Sequence, residues 1–162
     1  MIRFLFLLLV PVAAAFLFGN LNLNFNQNVD LRKMLAYRQL PQRCRLPSYS
    51  GYNPRNPFLK INMLYYNAET SRCEIFQYSG RGGNRNRYRS PVECLRRCAC
   101  HAPMDAGTCQ NTTGTIRYYY NKHFKMCTTF QFSGCQGNDN NFADFFSCQL
   151  ACGKSGGGEI EL

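Results

Sequence analysis

The chain has 162 residues, a formal net charge of +10, ten cysteines and only two histidines. Ten cysteines in so short a chain read as a disulfide framework and not a metal site, because there is no C-x2-C pair and His101 and His123 lack ligand-like spacing. No Ser-His-Asp or Cys-His set is suggested, so the chain reads as a non-enzyme with no cofactor and no metal.

Residues 1–15 read as a secretory signal peptide. Arg3 is followed by the apolar run Phe4 to Val10 and then Val12-Ala13-Ala14-Ala15, with small residues where a signal peptidase reads, so the cut falls after Ala15 or near Gly19. The apolar stretch, interrupted by Pro11, is short for a bilayer span of about 20 residues. Membrane contact is therefore expected only through this leader. Export fits the cysteine count and makes nucleic acid an unsuitable partner for the positive charge.

Residues 16–41 form a lead. Asn20 to Asn28 alternates asparagine with Leu and Phe and has no core or turn logic, so it reads as mobile. Asp30 to Leu40 carries Leu31, Met34 and Leu35 at helical spacing. It fits either a short amphipathic helix, packed on the first cysteine-containing unit or on a partner, or a frayed leader. The dibasic Arg32-Lys33 is a weak processing signal.

Two cysteine-containing units occupy residues 42–98 and 100–152, and they repeat one another. Cys94 and Cys98 are separated by three residues, as are Cys148 and Cys152. Twenty residues lie between Cys73 and Cys94, and twenty between Cys127 and Cys148. Tyr65-Tyr66-Asn67 and Phe76 answer Tyr119-Tyr120-Asn121 and Phe130. Ser79-Gly80-Arg81 answers Ser133-Gly134-Cys135, and Gly51 answers Gly107. On this register Asn53 and Arg81 stand where the second unit has Cys109 and Cys135. Leu64 to Ala68 with Glu74 to Tyr78, and Ile116 to Asn121 with Met126 to Phe132, read as paired strands rich in aromatic and β-branched residues. Ser90-Pro91-Val92-Glu93 is a capping box opening a short helix. Asn141-Phe142-Ala143-Asp144 is a weaker version before Cys148 and Cys152. Only Ala99 separates the units, which is expected to hold their orientation firmly. Residues 153–162, with three consecutive glycines, read as a flexible tail.

The second unit spaces its cysteines C-x8-C-x17-C-x7-C-x12-C-x3-C. With Gly134-Cys135, Asn140-Asn141-Phe142 and Phe130, this resembles the Kunitz-type (pancreatic trypsin inhibitor-like) family, whose usual second gap is two residues shorter. The resemblance implies a small disulfide-rich α+β fold in two tandem domains, each a twisted two-stranded β-hairpin plus a C-terminal helix. It also implies the pairs Cys100–Cys152, Cys109–Cys135 and Cys127–Cys148 in the second unit, and Cys44–Cys98 and Cys73–Cys94 in the first. The bridge between the second and fourth cysteines is absent from the first unit. Both its partners are missing together, so no thiol is left over.

The resemblance further implies serine-protease inhibition by a rigid convex loop that runs on from the second cysteine, with the next residue entering the specificity pocket. Rigidity matters because ordering a loop on binding costs affinity. Both loops depart from the pattern. In the second unit the pocket position is Gln110, followed by Asn111 and Thr112, and two extra residues lie within Gln110 to Thr115. Asn111-Thr112-Thr113 is also an N-glycosylation sequon, so Asn111 is a candidate glycan site on the contact loop itself. In the first unit Asn53 to Ile61 is about four residues longer than the family's loop. Arg55, Phe58 and Lys60 are its contact candidates.

The charge is uneven. Residues 41–98 hold eleven Lys or Arg against three acids, whereas residues 100–152 hold three of each. Arg81, Arg85, Arg87 and Arg89 form the densest run. It reads either as a solvated face or as a site for an anionic polymer such as sulfated glycosaminoglycan in an extracellular matrix. The sequence therefore supports a secreted, extracellular Kunitz-type serine-protease inhibitor. The alternative is a non-inhibitory Kunitz protein with a matrix, cuticle, adhesion or channel-binding role.

Overall fold

The computed structural model describes residues 27–53, 55–110 and 113–153. The signal peptide, the lead before Gln27, Pro54, the sequon residues Asn111 and Thr112, and the tail after Gly153 lie outside the described residues. Among the described residues no helix is long and apolar enough to cross a membrane. The element order is α1 (Gln27–Gln39), a 3-10 turn (Gln42–Arg45), β1 (Ile61–Asn67), β2 (Arg72–Tyr78), α2 (Pro91–Arg97), a second 3-10 turn (Ala99–His101), β3 (Thr115–Asn121), β4 (Met126–Phe132) and α3 (Phe145–Cys152).

β1 with β2, and β3 with β4, form two separate antiparallel two-stranded sheets. β1 begins three residues before the predicted Leu64 and stops at Asn67, one short of Ala68, and β2 begins at Arg72 instead of Glu74. The extension comes from pairing: Ile61 faces Tyr78, and the side chains of Asn62 and Gln77 join at 2.7 Å. β3 starts at Thr115, one residue before the predicted Ile116.

Each hairpin is closed onto its helix by the same devices. Leu64 and Tyr88 exchange both backbone bonds (2.9 and 2.7 Å), as Tyr118 and Phe142 do (2.9 and 2.8 Å). The fully buried Asn86 accepts from the Tyr66 amide and donates to the carbonyls of Tyr66 and Leu46. The equally buried Asn140 does the same with Tyr120 and Ala102. A buried side-chain amide that meets three backbone groups removes the cost of leaving those groups dry and unpaired.

Bridges join Cys44–Cys98, Cys73–Cys94, Cys100–Cys152, Cys109–Cys135 and Cys127–Cys148. The aromatic core is thin: Tyr66, Tyr78, Tyr88, Phe130 and Phe142 are buried, whereas Phe124 and Phe146 are exposed. Burial pushes the phenols of Tyr66 and Tyr88 up to about 12. Cores this small need covalent support.

The helix starts differ in detail from the sequence expectation. Ser90 caps α2 by accepting from the Glu93 amide, but the Glu93 carboxylate turns to the amide of Arg89 and not of Ser90. In α3 the cap is Asp144, three residues beyond the predicted Asn141, and it accepts from Ser147. Asn141 instead accepts from the Arg117 guanidinium. α1 does form, but Leu31, Met34 and Leu35 are exposed and its anchor is elsewhere. Leu40 is buried just past its end, and Tyr37 lies beneath the Arg45 guanidinium.

Candidate functional site

In the second domain the loop that ends in Cys109 and Gln110 is braced from three directions. Cys135 is bonded to Cys109, with Cα atoms 5.4 Å apart. The Cys109 amide donates to the Ser133 hydroxyl at 3.1 Å, and Ser133 donates its own amide to Ala106 at 2.7 Å. Gly107 has a positive φ of 77°, and a side chain there would strike the carbonyl of Cys135. Gln110 is exposed beyond this brace. On the far side of the loop the Gln131 amide donates to the Thr113 carbonyl at 2.6 Å. Fixed ends, with Gln110 exposed next to one of them, lower the cost of ordering the loop on binding.

In the first domain a different set of interactions takes this role. Tyr52 and Arg81 exchange backbone bonds at 2.9 and 3.0 Å, where, among the described residues, the second domain has one backbone bond, Thr108 donating to Cys135 at 3.4 Å. Asn53, at the missing half-cystine, accepts from the amides of Arg55 and Asn56 at 3.1 and 3.0 Å. Asn56 in turn accepts from Phe58 through its side chain and from Leu59 through its carbonyl. These are side-chain turns of the kind asparagine favours before proline. The Asn-Pro pairs at 53 and 56 are the readable signal for them. Phe58 stands 89% exposed on the turn, with Arg55 and Lys60 also exposed.

The four arginines of the basic run stand in different settings. Arg87 lies over the Tyr78 ring at 4.0 Å and donates to Gly82, which withdraws it from solvent. Arg81 flanks the first-domain loop, and Arg85 and Arg89 are exposed.

Sequence reasoning missed how the two domains are joined. The β1–β2 turn of the first domain sits on the loop after Cys135. Arg72 donates to the carbonyls of Gln136 and Gly137, the Cys73 amide donates to the Asp139 carboxylate at 2.7 Å, and the Asp139 amide donates to Ser71 at 3.1 Å. Burial raises the Asp139 carboxyl above its ordinary value, opposed by the Cys73 amide and Arg72. Arg96 donates to Leu150 and Ala151, and Lys122 to Gln39 and His101. The link residue Ala99 is wholly buried. His101 is lowered by burial and then by the Lys122 ammonium. Nearby, Glu74 is held below its ordinary value by the Thr70 hydroxyl and the Asn67 amide.

Two small domains, each a hairpin bridged to a helix and each presenting a braced loop, define a tandem disulfide-stapled fold. Residues 43–99 and 99–153 each match the Kunitz/Bovine pancreatic trypsin inhibitor domain, and the chain belongs to that family. It is 35% identical over 156 residues to "BPTI/Kunitz domain-containing protein 3" of Pinctada maxima, covering 95% of this chain and 98% of the relative. It is 38% identical over 111 residues to "Kunitz-type serine protease inhibitor bitisilin-3" of Bitis gabonica, covering 67% and 70%. Among solved structures it resembles SmCI in its complex with human carboxypeptidase A4, with a TM-score of 0.59 at 31% identity. That match covers 68% of this chain and 63% of the other.

Proposed function

We propose that this protein is a secreted inhibitor of serine proteases and that its second domain carries the inhibitory loop. The observation behind this reading is the brace at Cys109: a bridge, the Ser133 hydroxyl and the Gly107 approach all hold the chain just before the exposed Gln110. Such a loop blocks an active site by occupying it as a substrate would, at little ordering cost. Gln110 fills the specificity pocket, and its neutral amide disfavours the acidic pocket of trypsin-like enzymes. Arg55, Phe58 and Lys60 form a secondary contact loop. We also infer a signal peptide at 1–15, a lead at 16–41, domains at 42–98 and 100–152, and a tail from 153. The ten cysteines and the apolar leader support export.

The test is an inhibition titration of the secreted chain against trypsin-, chymotrypsin- and elastase-like proteases. A carboxypeptidase is included because a structural relative is bound to one. Gln110→Arg is expected to gain trypsin inhibition of at least about a hundredfold, as a buried ion pair in the pocket replaces a neutral amide. Asn111→Gln tests whether a glycan masks the loop. Failure of the chain and both variants against every serine protease refutes the reading.

A second reading, partner binding without inhibition, is favoured by the docked turn. The carbonyls of Gln136 and Gly137 beside the braced loop are already taken by Arg72. Retention of a non-protease partner by a chain that inhibits nothing would favour it.

A further inference from the structure

The two domains share a backbone but differ at two positions lining one hollow, Arg43 and Arg85, and at a third, Arg97, whose carbonyl meets Cys44 Sγ at 3.3 Å. Arg43 and Arg97 each immediately precede a half-cystine of the Cys44–Cys98 bridge, whose Cα atoms are 5.6 Å apart. Arg85 lies between Asn84 and Asn86, whose side-chain amides are fastened to the carbonyls of Pro47 and Leu46 at 2.7 and 2.6 Å. That clamp brings Arg85 to the rim of a shallow hollow of about 500 Å³ that it shares with Arg43, Gln42 and Asn84. The second domain repeats the clamp, with Asn138 and Asn140 fastened to Pro103 and Ala102 at 2.8 Å. At the matching positions it has Ala99, Asp139 and Ala151. The scaffold is therefore constant while the charge is not. In the second domain this face receives the first domain's turn, whereas in the first it is open.

The three guanidiniums are exposed, and none has a side-chain hydrogen bond or ion pair among the described residues. Two of the domain's three carboxylates are engaged: Glu74 with Tyr65, Asn67 and Thr70, and Glu93 with the Arg89 amide. Burial raises the Tyr88 phenol, and the charges of Arg43 and Arg97 both oppose that rise. Positive charges this exposed and without an ion-pair partner raise the local potential toward anions.

We propose that Arg43, Arg85 and Arg97 form a binding site for a sulfated polysaccharide. Guanidinium forks match the oxygens of a sulfate group, and the Gln42 and Asn84 amides beside them suit sugar hydroxyls. The hollow is open and shallow, as an extended polyanion requires. Only Pro41 and Leu46 offer apolar lining, which leaves nothing to insert into a bilayer.

The probe is a size-defined, highly sulfated heparin oligosaccharide, titrated into the full secreted chain by calorimetry at physiological ionic strength. Binding is expected, and R43S/R85S/R97S is expected to weaken it roughly a hundredfold, taking about a factor of five for each basic residue at an anionic surface. R55S/K60S/R81S removes equal charge elsewhere on the domain and is expected to cost less than roughly threefold, the screened long-range share. No binding by the native chain overturns the proposal. Equal losses in both variants overturn it too, since net charge alone would then explain the affinity. Equal binding of the fully desulfated oligosaccharide, or stronger binding to vesicles containing phosphatidylserine, overturns the assignment to sulfate on sugar. Protease titration of the same variants separates this result from the inhibitor reading, because the three arginines lie outside both loops.

Discussion

Restoring the absent bridge in the first domain tests the account of its loop most directly. In Asn53→Cys with Arg81→Cys, the new pair stands where Cys109 and Cys135 stand in the second domain, and the Tyr52–Arg81 ladder already holds the two segments together. The chain-entropy model gives about 3–4 kcal/mol for closing about 28 residues in the unfolded chain. Two terms reduce that figure. Cys44–Cys98 and Cys73–Cys94 already restrain the unfolded chain, and a thiol side chain at position 53 no longer accepts the Arg55 and Asn56 amides, each bond being worth about 0.5–1.5 kcal/mol. A net gain of about 1–2 kcal/mol remains, which raises the melting temperature by roughly 4–15 °C in a domain of this size. The assay is thermal unfolding without reductant, after mass spectrometry has confirmed that no thiol is free. If the bridge forms and the melting temperature does not rise, the ladder does not hold positions 53 and 81 as the second domain holds its cysteines, and the reasoning is refuted.

Three other perturbations address the joints. Asn86→Ala leaves the buried amide and carbonyl of Tyr66 and the carbonyl of Leu46 without partners and is expected to cost about 3–5 kcal/mol in denaturant unfolding. Asp139→Ala is expected to speed hydrogen exchange at the Cys73 amide and loosen the domains. Asp139→Asn keeps an acceptor there, sheds the buried charge and should leave exchange slow. His101 is lowered from its ordinary 6.5, so the unfolded chain takes up a proton first as the pH falls. Stability is therefore expected to fall from about pH 6.5 down through the folded-state value and then level off, and His101→Gln should flatten the slope in a series of melting curves.

The parts of this fold legible in the sequence are those with local signals. Runs rich in aromatic and β-branched residues mark the hairpins, and Ser90-Pro91 marks the start of α2. The repeat register pairs Asn53 and Arg81 with Cys109 and Cys135 from spacing alone. Strand ends depart from the sequence expectation where pairing, not composition, extends them: Ile61 to Met63 come after a proline-rich loop and become strand only because Phe76, Gln77 and Tyr78 lie opposite. Asp144 outcompetes Asn141 as a cap because Arg117, distant in sequence, claims the Asn141 side chain. Of the candidate loop residues, exposure of Phe58 and Arg55 is readable, but the two asparagine turns that shape their loop need three-dimensional closure. The domain joint has no local signal at all, since Arg72 and Gln136 are 64 residues apart.

The contrast between the two loops bears on where binding energy resides. The second-domain loop is held at Cys109 by a covalent bond that cannot fray. The first-domain loop is held by backbone and side-chain bonds at an exposed surface, each of net worth about 0.5–1.5 kcal/mol, and such segments open locally well before the domain unfolds. A partner that grips Phe58, Arg55 and Lys60 must therefore suppress that opening, which subtracts from its affinity but lets the loop adapt to more than one surface. On the inhibitor reading, tight blockade belongs to Gln110 and its neighbours. On the same reading the first domain, whose turn is fastened to Asp139, would hold that loop in place.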